Sequence, residues 1–449
     1  MTCTIDGKFI RTRLLVIVAL ATTSLASGAA FSAELDDNEQ AMSDWIDANA
    51  ENAIALLEEI VNIGSGSMNH EGVRQVGAVL REELDALGLE TEWIEFPPEI
   101  NRAGHLVGRL DGTREPKILM IGHLDTVFEA SEDFQAFSRD GNIATGPGVD
   151  DMKSGDVIMI YALKALQQAG LLDDLNIVAF YTGDEEMAGR PLSVSRKDLV
   201  DAGKWADVAL GFESASFRDG RDWATIARRS SSDWQLEVTG KQSHSSQVFS
   251  DSVGAGAIFE AARILNDFYE NVRGEKYLTF NAGTILGGTD VEYDFEEHRG
   301  TTFGKTNVVP NKAIVHGGIR TLSPDQLERA QEAMRAVVAK HLPHTDATIT
   351  FGEGYPPMAP TEGNIRLQEK LSAINEALGR GPMDALDPSL RGAADISFVA
   401  SYVDGLAGLG AIGKGSHTPD ESLELDSVPL GIKRAAILIY RLAYKGDAE

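Results

Sequence analysis

The chain has 449 residues, 43% of them hydrophobic and 24% charged, a globular composition long enough for two domains. A formal charge of −29 disfavours nucleic acid and anionic membrane surfaces as partners. A single cysteine, Cys3, excludes a disulfide framework.

Lys8, Arg11 and Arg13 precede an apolar run from Leu14 to Leu25. The small residues Ser27, Gly28, Ala29, Ala30, Ser32 and Ala33 follow. This order predicts a secretory signal peptide over residues 1–32, removed on export. Cys3 leaves with it, and the mature charge becomes about −31. Without a cysteine near the cleavage region a lipoprotein is not expected. No later stretch reaches transmembrane length, so a secreted or periplasmic protein free of the membrane is expected.

Residues 36–62 have apolar positions at helical spacing, with Ser43 as a plausible cap. Glu71–Leu87 predicts a second helix, stopped by Gly88. Strands are expected at 90–96, 105–110, 117–122, 175–182 and 206–212, with a helix over Ser154–Gln168. This alternation argues for a layered α/β domain. From about residue 225 the pattern changes. Trp234–Val238 alternates, Asp251–Phe268 reads as helix, and 306–320 as two strands joined at Pro310-Asn311. Pro324–Leu342 reads as helix and Ala347–Phe351 as strand, giving a small α+β insert. Gly352–Pro360 reads as a return linker. Helices near 364–378 and 427–443, with an apolar segment at 403–412, resume the first domain. The expected division is 36–224 and 354–449 for the main domain and 225–353 for the insert.

Acidic and histidine islands follow the apolar strands: His123-Leu124-Asp125, Asp150-Asp151, Asp184-Glu185-Glu186, Glu213 and, far downstream, His417. Each alone reads as a polar turn. Ligands collect at the carboxyl ends of parallel strands. Carboxylates and imidazoles gathered there would be costly to desolvate without a cation, and a mixed nitrogen and oxygen donor set suits zinc or a similar divalent metal.

The motifs His123-Leu124-Asp125-Thr126-Val127, Gly146-Pro147-Gly148-Val149-Asp150-Asp151-Met152-Lys153-Ser154-Gly155, Asp184-Glu185-Glu186, Gly211-Phe212-Glu213, Gly240-Lys241-Gln242-Ser243-His244 and Ser416-His417 resemble, in that order, the M20 metallopeptidases. Within them the chain resembles the glutamate carboxypeptidase type, over roughly residues 40–445. The resemblance implies a metallopeptidase catalytic domain with a mixed sheet and flanking helices, and an inserted lid and dimerisation domain. It implies two zinc ions per chain. His123, Asp151 and Glu213 would hold one, and Asp151, Glu186 and His417 the other, with Asp151 bridging. Asp150 departs from the small residue usual before that ligand. Asp125 would orient His123, since a ligand imidazole donates its other N–H to a carboxylate. Glu185 would be the general base. His244 would cross to a partner subunit and stabilise the oxyanion. Asn307, Arg320 and Arg391 would bind the substrate, a small peptide or N-acyl amino acid ending in glutamate or another residue.

An aminoacylase or dipeptidase with the same metal site is the alternative activity. An inactive relative used for binding would be expected to lack Glu185 or a ligand, and neither is missing. No Gly-x-Ser-x-Gly elbow supports a serine hydrolase.

Overall fold

The computed structural model describes residues 34–446 except Ala130, Glu132, Glu296 and Glu297. The signal segment expected over 1–32 lies outside the described residues. Two helices open the fold, α1 (Asp37–Ala48) and α2 (Ala50–Val61). One helix was expected over 36–62, but Asn49 leaves helical geometry between them, at φ −114° and ψ 11°. The cap of α1 is Asp36 and not Ser43. The Asp36 carboxylate accepts from the Glu39 N–H while Glu39 accepts from the Asp36 N–H, a reciprocal capping box. Ser43 is buried on α1.

The chain continues through α3 (His70–Ala86), β1 (Glu90–Ile94), β2 (His105–Asp111), β3 (Arg114–His123), α4 (Ser154–Gln168), β4 (Leu175–Thr182), α5 (Lys197–Trp205) and β5 (Val208–Gly211). The inserted unit holds β6 (Ser232–Gly240), α6 (Ala257–Asn271), β7 (Thr279–Gly288), β8 (Lys312–Arg320), α7 (Pro324–Val338) and β9 (Thr345–Phe351). The return carries α8 (Glu362–Ala377), β10 (Gly405–Leu406) and α9 (Ser427–Tyr440).

The main sheet runs β1-β2-β4-β3-β5-β10. β2 is antiparallel to both neighbours, while β4, β3, β5 and β10 are mutually parallel. Its two faces explain the unbroken apolar run on β3. Ile118 and Met120 pack with α1 to α4 and α9, while Leu119 and Ile121 pack with α5 and the segment around Val399. A strand buried on both sides has no polar face to alternate. The same holds for α4, apolar almost all round and enclosed. The structure is thus a mixed α/β fold with helices on both faces of its sheet. No helix among the described residues is long and apolar enough to cross a membrane.

The insert's sheet is antiparallel, in the order β7-β8-β6-β9. Trp234, Leu236, Val238, Ala313, Val315 and Ile319 pack on α6 and α7 to form a separate core. β7 and the hairpin Asp290–Asp294 with Arg299–Phe303 were not expected. Both are largely solvent-facing, so no buried face writes period-two hydrophobicity into them. α6 starts at Ala257, later than the expected Asp251, because Gly254 and Gly256 take φ of 74° and 81° just before it. α7 stops at Val338, short of the expected Leu342. Residues 306–320 do break at Pro310-Asn311, but the halves do not pair with each other. Val308–Val309 pairs with Ser243–His244, and β8 runs between β6 and β7. Two chain segments form the neck between insert and main domain, with Arg228 bridged to Met358 and Ser231 to Tyr355.

Candidate metal centre and active site

Parallel strands end at one edge, and their ends carry the islands. His123 closes β3, Asp184 to Glu186 follow β4, and Glu213 follows β5. Asp151 lies in the kinked turn Val149–Lys153 that feeds α4. His417 sits on the return loop with a left-handed φ of 65°, a costly conformation for a side-chain-bearing residue that persists only when its surroundings impose it.

The two histidines flank one carboxylate. Asp151 Oδ1 lies 3.3 Å from His123 Nε2, and Asp151 Oδ2 lies 3.3 Å from His417 Nε2. Glu186 Oε2 is 3.1 Å from His417 Nε2. Asp151, Glu186 and His417 bring a ligand atom each within 4.8 Å of one another, as do His123, Glu185 and Glu186. These donor sets, imidazole nitrogen with carboxylate oxygen, fit two neighbouring divalent cations. Glu213 stands apart from both groups. Its carboxylate is ion-paired with Arg228, although it lines the same small cavity as His123. Asp150 also belongs to neither group; it accepts from Ser416 Oγ at 2.8 Å.

Asp125 is fully buried beneath this cluster. It lies 3.5 Å from His123 Nδ1 and accepts from Ser67 Oγ at 2.5 Å and from the N–H groups of Glu185 and Glu186 at 2.9 and 3.0 Å. Burial raises its carboxyl, but the His123 imidazole, whose Nδ1 is hydrogen-bonded to the Asp125 carbonyl at 3.0 Å, and the hydrogen bond from Ser67 outweigh that and hold it below the usual range. It therefore stays an anion able to orient both the imidazole and the acidic turn. The Glu185 carboxylate takes no hydrogen bond or ion pair among the described residues. Burial pushes it well above the usual range, and neighbouring Glu213 and Asp395 add to this against His123. Burial likewise pushes Glu186 to about 7, and hydrogen bonds to Asp151 and Glu186 raise His417 to about 11. A cation beside these acids would offset the desolvation and mutual repulsion that raise them.

The lid residues are placed differently. His244 is exposed, its Nδ1 2.8 Å from Ser246 Oγ, and its strand pairs with the one that follows Asn307. The Asn307 carbonyl accepts from the Ser245 N–H at 2.9 Å, so the structure joins these two positions far apart in sequence. Among the described residues neither bonds to the acidic cluster of its own chain. Arg320, exposed at the end of β8, brings Nη1 within 3.8 Å of where a side chain on Gly392 would begin. Arg391 reaches inward: its Nη2 donates to the Ser214 carbonyl at 2.9 Å and lies 3.9 Å from Glu213 Oε2.

Three residues that sequence reasoning passed over build the site. Ser67 and Arg228 are described above. Glu421, fully buried, accepts from the N–H groups of Gly148, Asp150 and Asp151 at 3.2, 2.8 and 3.0 Å. It clasps the turn bearing Asp151 to the loop bearing His417. Its place four residues after His417 is the one signal that could have found it.

The family model for peptidase family M20/M25/M40 matches residues 119–441. Carboxypeptidase G2 of Pseudomonas sp. (strain RS-16) is 27% identical over 432 residues, covering 95% of this chain and 97% of its own. Among solved structures, a tripeptidase from Staphylococcus aureus superposes with a TM-score of 0.65 at 19% identity, over 87% of this chain and 98% of that one. The YXEP protein of Bacillus subtilis, described as a dinuclear metal-binding peptidase of the M20 family, gives 0.60 at 13% identity, over 88% and 99%.

Proposed function

The chain belongs to peptidase family M20/M25/M40 and is a hydrolytic metallopeptidase with carboxypeptidase relatives, and from that premise we propose an exported carboxypeptidase acting with two zinc ions. It cleaves the amide joining an acyl or peptidyl group to a C-terminal amino acid, glutamate first. The observation that carries the reading is Asp151, whose two oxygens each face a different histidine, beside a half-buried Glu185 whose carboxylate takes no hydrogen bond or ion pair among the described residues. His123, Asp151 and Glu213 hold one cation in this reading, and Asp151, Glu186 and His417 the other. When bound, the cations lower the pKa of the attacking water and polarise the scissile carbonyl.

Glu185 takes the proton from that water and delivers it to the leaving amine. It suits the task because burial raises its carboxyl above the usual range and so makes its anion a stronger base than an exposed carboxylate. Asp125 keeps His123 in one orientation and, through its hydrogen bonds to Glu185 and Glu186, fixes the acidic turn. Arg391, anchored at Ser214, and Arg320, which reaches the neighbouring Gly392 from the lid, hold the substrate's terminal carboxylate. His244 and Asn307 serve the active site of a partner subunit in a homodimer; their exposure, with no bond to the acidic cluster among the described residues, supports this. Residues 1–32 direct export to the periplasm and are removed, supported by the basic, apolar and small-residue order of that segment.

A panel of N-acyl amino acids and dipeptides, with the released amines identified, tests the reading. Chelator-sensitive release of C-terminal glutamate is expected. Release of fatty or succinyl acids from many amino acids, without preference at the C-terminus, would favour an aminoacylase. Absence of any chelator-sensitive hydrolysis would reject a metallopeptidase acting on amides.

A further inference from the structure

The peptide unit of Glu185 is gripped at both ends. Its N–H donates to Asp125 from the floor of the site. Its carbonyl accepts from the Tyr355 hydroxyl at 2.7 Å. Tyr355 belongs to the neck, where its own N–H and C=O pair with Ser231 at 2.8 and 3.0 Å. The phenol oxygen in turn accepts from Arg196 Nη2 at 2.9 Å, so its one proton is left for the Glu185 carbonyl.

Arg196 is almost wholly buried and leaves little slack. It donates to Asp184 Oδ1 at 2.7 Å, to the Asp184 carbonyl at 2.9 Å and to Asp395 Oδ1 at 2.8 Å. The guanidinium lies 5.7 Å from the Tyr355 ring centre and 5.5 Å from that of Phe398, and these two rings meet edge to face at 4.8 Å. Further along the neck, Glu353 accepts from the Leu192 N–H at 3.0 Å and its carbonyl from Arg190 at 2.9 Å. The neck is therefore fastened to the segment that starts at the acidic turn.

We propose that Tyr355 is a positioning residue for the amide hydrolysis, through which the neck between lid and catalytic domain sets the place of Glu185. The inference rests on Glu185 being the base. A base must stand within hydrogen-bond reach of the proton it takes, and a displacement of about 1 Å can cost on the order of a hundredfold. Among the described residues Tyr355 hydrogen-bonds to no side chain of the proposed metal ligands, so its effect passes through the Glu185 backbone.

The test uses Tyr355→Phe, which removes one oxygen and keeps the ring. Hydrogen exchange read by mass spectrometry on the full-length protein as purified reports the turn without needing activity. Exchange of a peptide covering 183–189 is expected to quicken in Tyr355→Phe, with β4 and α9 unchanged. Unchanged exchange there overturns the proposal. Quickening spread over the whole catalytic domain overturns it too, because Tyr355 would then be a general stabiliser. On active enzyme, kcat is expected to fall about tenfold to a hundredfold with KM and metal content unchanged. A rise in KM alone would overturn the proposal. If the wild type hydrolyses no amide, the functional reading fails, while the exchange data still decide whether Tyr355 fixes this turn.

Discussion

The two sides of the cleft are built by opposite rules. On the catalytic side, Asp125 is wholly buried, and His123 and Glu186 keep 2% and 6% of their side-chain exposure. Each is held by groups from another strand, turn or loop. On the lid, His244 and Asn307 are exposed and bonded only to their own neighbourhood. A site that must hold charge against desolvation needs donors fixed in advance, and the catalytic domain supplies them from its own chain. The lid residues have no such frame, and the proposed homodimer would supply one from a second chain.

The largest effects are expected on the catalytic side, where His417 is exposed but Glu186 and Asp151 are not. His417→Ala and Glu186→Ala are each expected to abolish activity together with bound metal, since each removes a donor from a three-membered set. Elemental analysis showing full metal content in either variant would break the assignment. Glu185→Gln separates the base from the ligands. It is expected to keep its metal and lower kcat by about a hundredfold to ten-thousandfold, with KM little changed. Near wild-type turnover would place the base elsewhere.

The lid side is expected to show a smaller and rescuable loss. His244→Ala should cost about a hundredfold or more in kcat, as for one oxyanion donor. Mixing it with Glu185→Gln gives heterodimers in which one intact His244 faces one intact Glu185. Activity should then return toward half that of the wild type. No recovery despite proven subunit exchange would show that the lid does not work across subunits, and the contrast drawn above would lose its meaning.

What the sequence made legible follows the same divide. Strands buried on both faces, such as β3 with Ile118 to Ile121, announce themselves as apolar runs, and the acids after them stand out. His123, Asp151, Glu186 and His417, which the structure gathers together, stood out because each sits in a short acidic or histidine island. Arg196, Tyr355 and Glu421 were not, because a buried polar partner is specified by the three-dimensional neighbour and leaves no periodicity. β7 escaped for the complementary reason. Its Gly-rich, solvent-facing edge buries too little on either side to impose a pattern.

The two arginines sharpen the comparison at lower amplitude. Arg391 is anchored to Ser214 and lies near Glu213, while Arg320 reaches the same loop from the lid. Arg391→Lys and Arg320→Lys should each raise KM about tenfold with kcat held, the loss of one charge-assisted fork on a carboxylate. A larger KM effect from Arg391 would assign the carboxylate to the catalytic side. The reverse would give the lid a role in binding within its own chain.

The smallest effect on turnover should come from the fastening that keeps the catalytic side rigid. Glu39 on α1 is fully buried and accepts from Arg441 at 2.7 Å and Lys445 at 2.8 Å, tying the first helix to the end of the chain. Burial raises its carboxyl, but hydrogen bonds from Arg441 and Lys445 outweigh it, and the folded value lies below the ordinary 4.5. A depressed folded value means that the pair's stabilisation is fully present above 4.5 and fades as pH falls through the folded value. Glu39→Gln should therefore lower Tm at neutral pH, by a loss of about 3 kcal/mol for one broken buried pair. It should also flatten the decline of Tm with acid, because the titrating group is gone. Turnover at neutral pH and at temperatures well below Tm should stay near the wild-type value, since Glu39 touches no residue of the metal cluster. Parallel acid limbs in the two proteins would show that Glu39 titrates alike folded and unfolded, and the rigidity of the catalytic side would have to be sought in another pair.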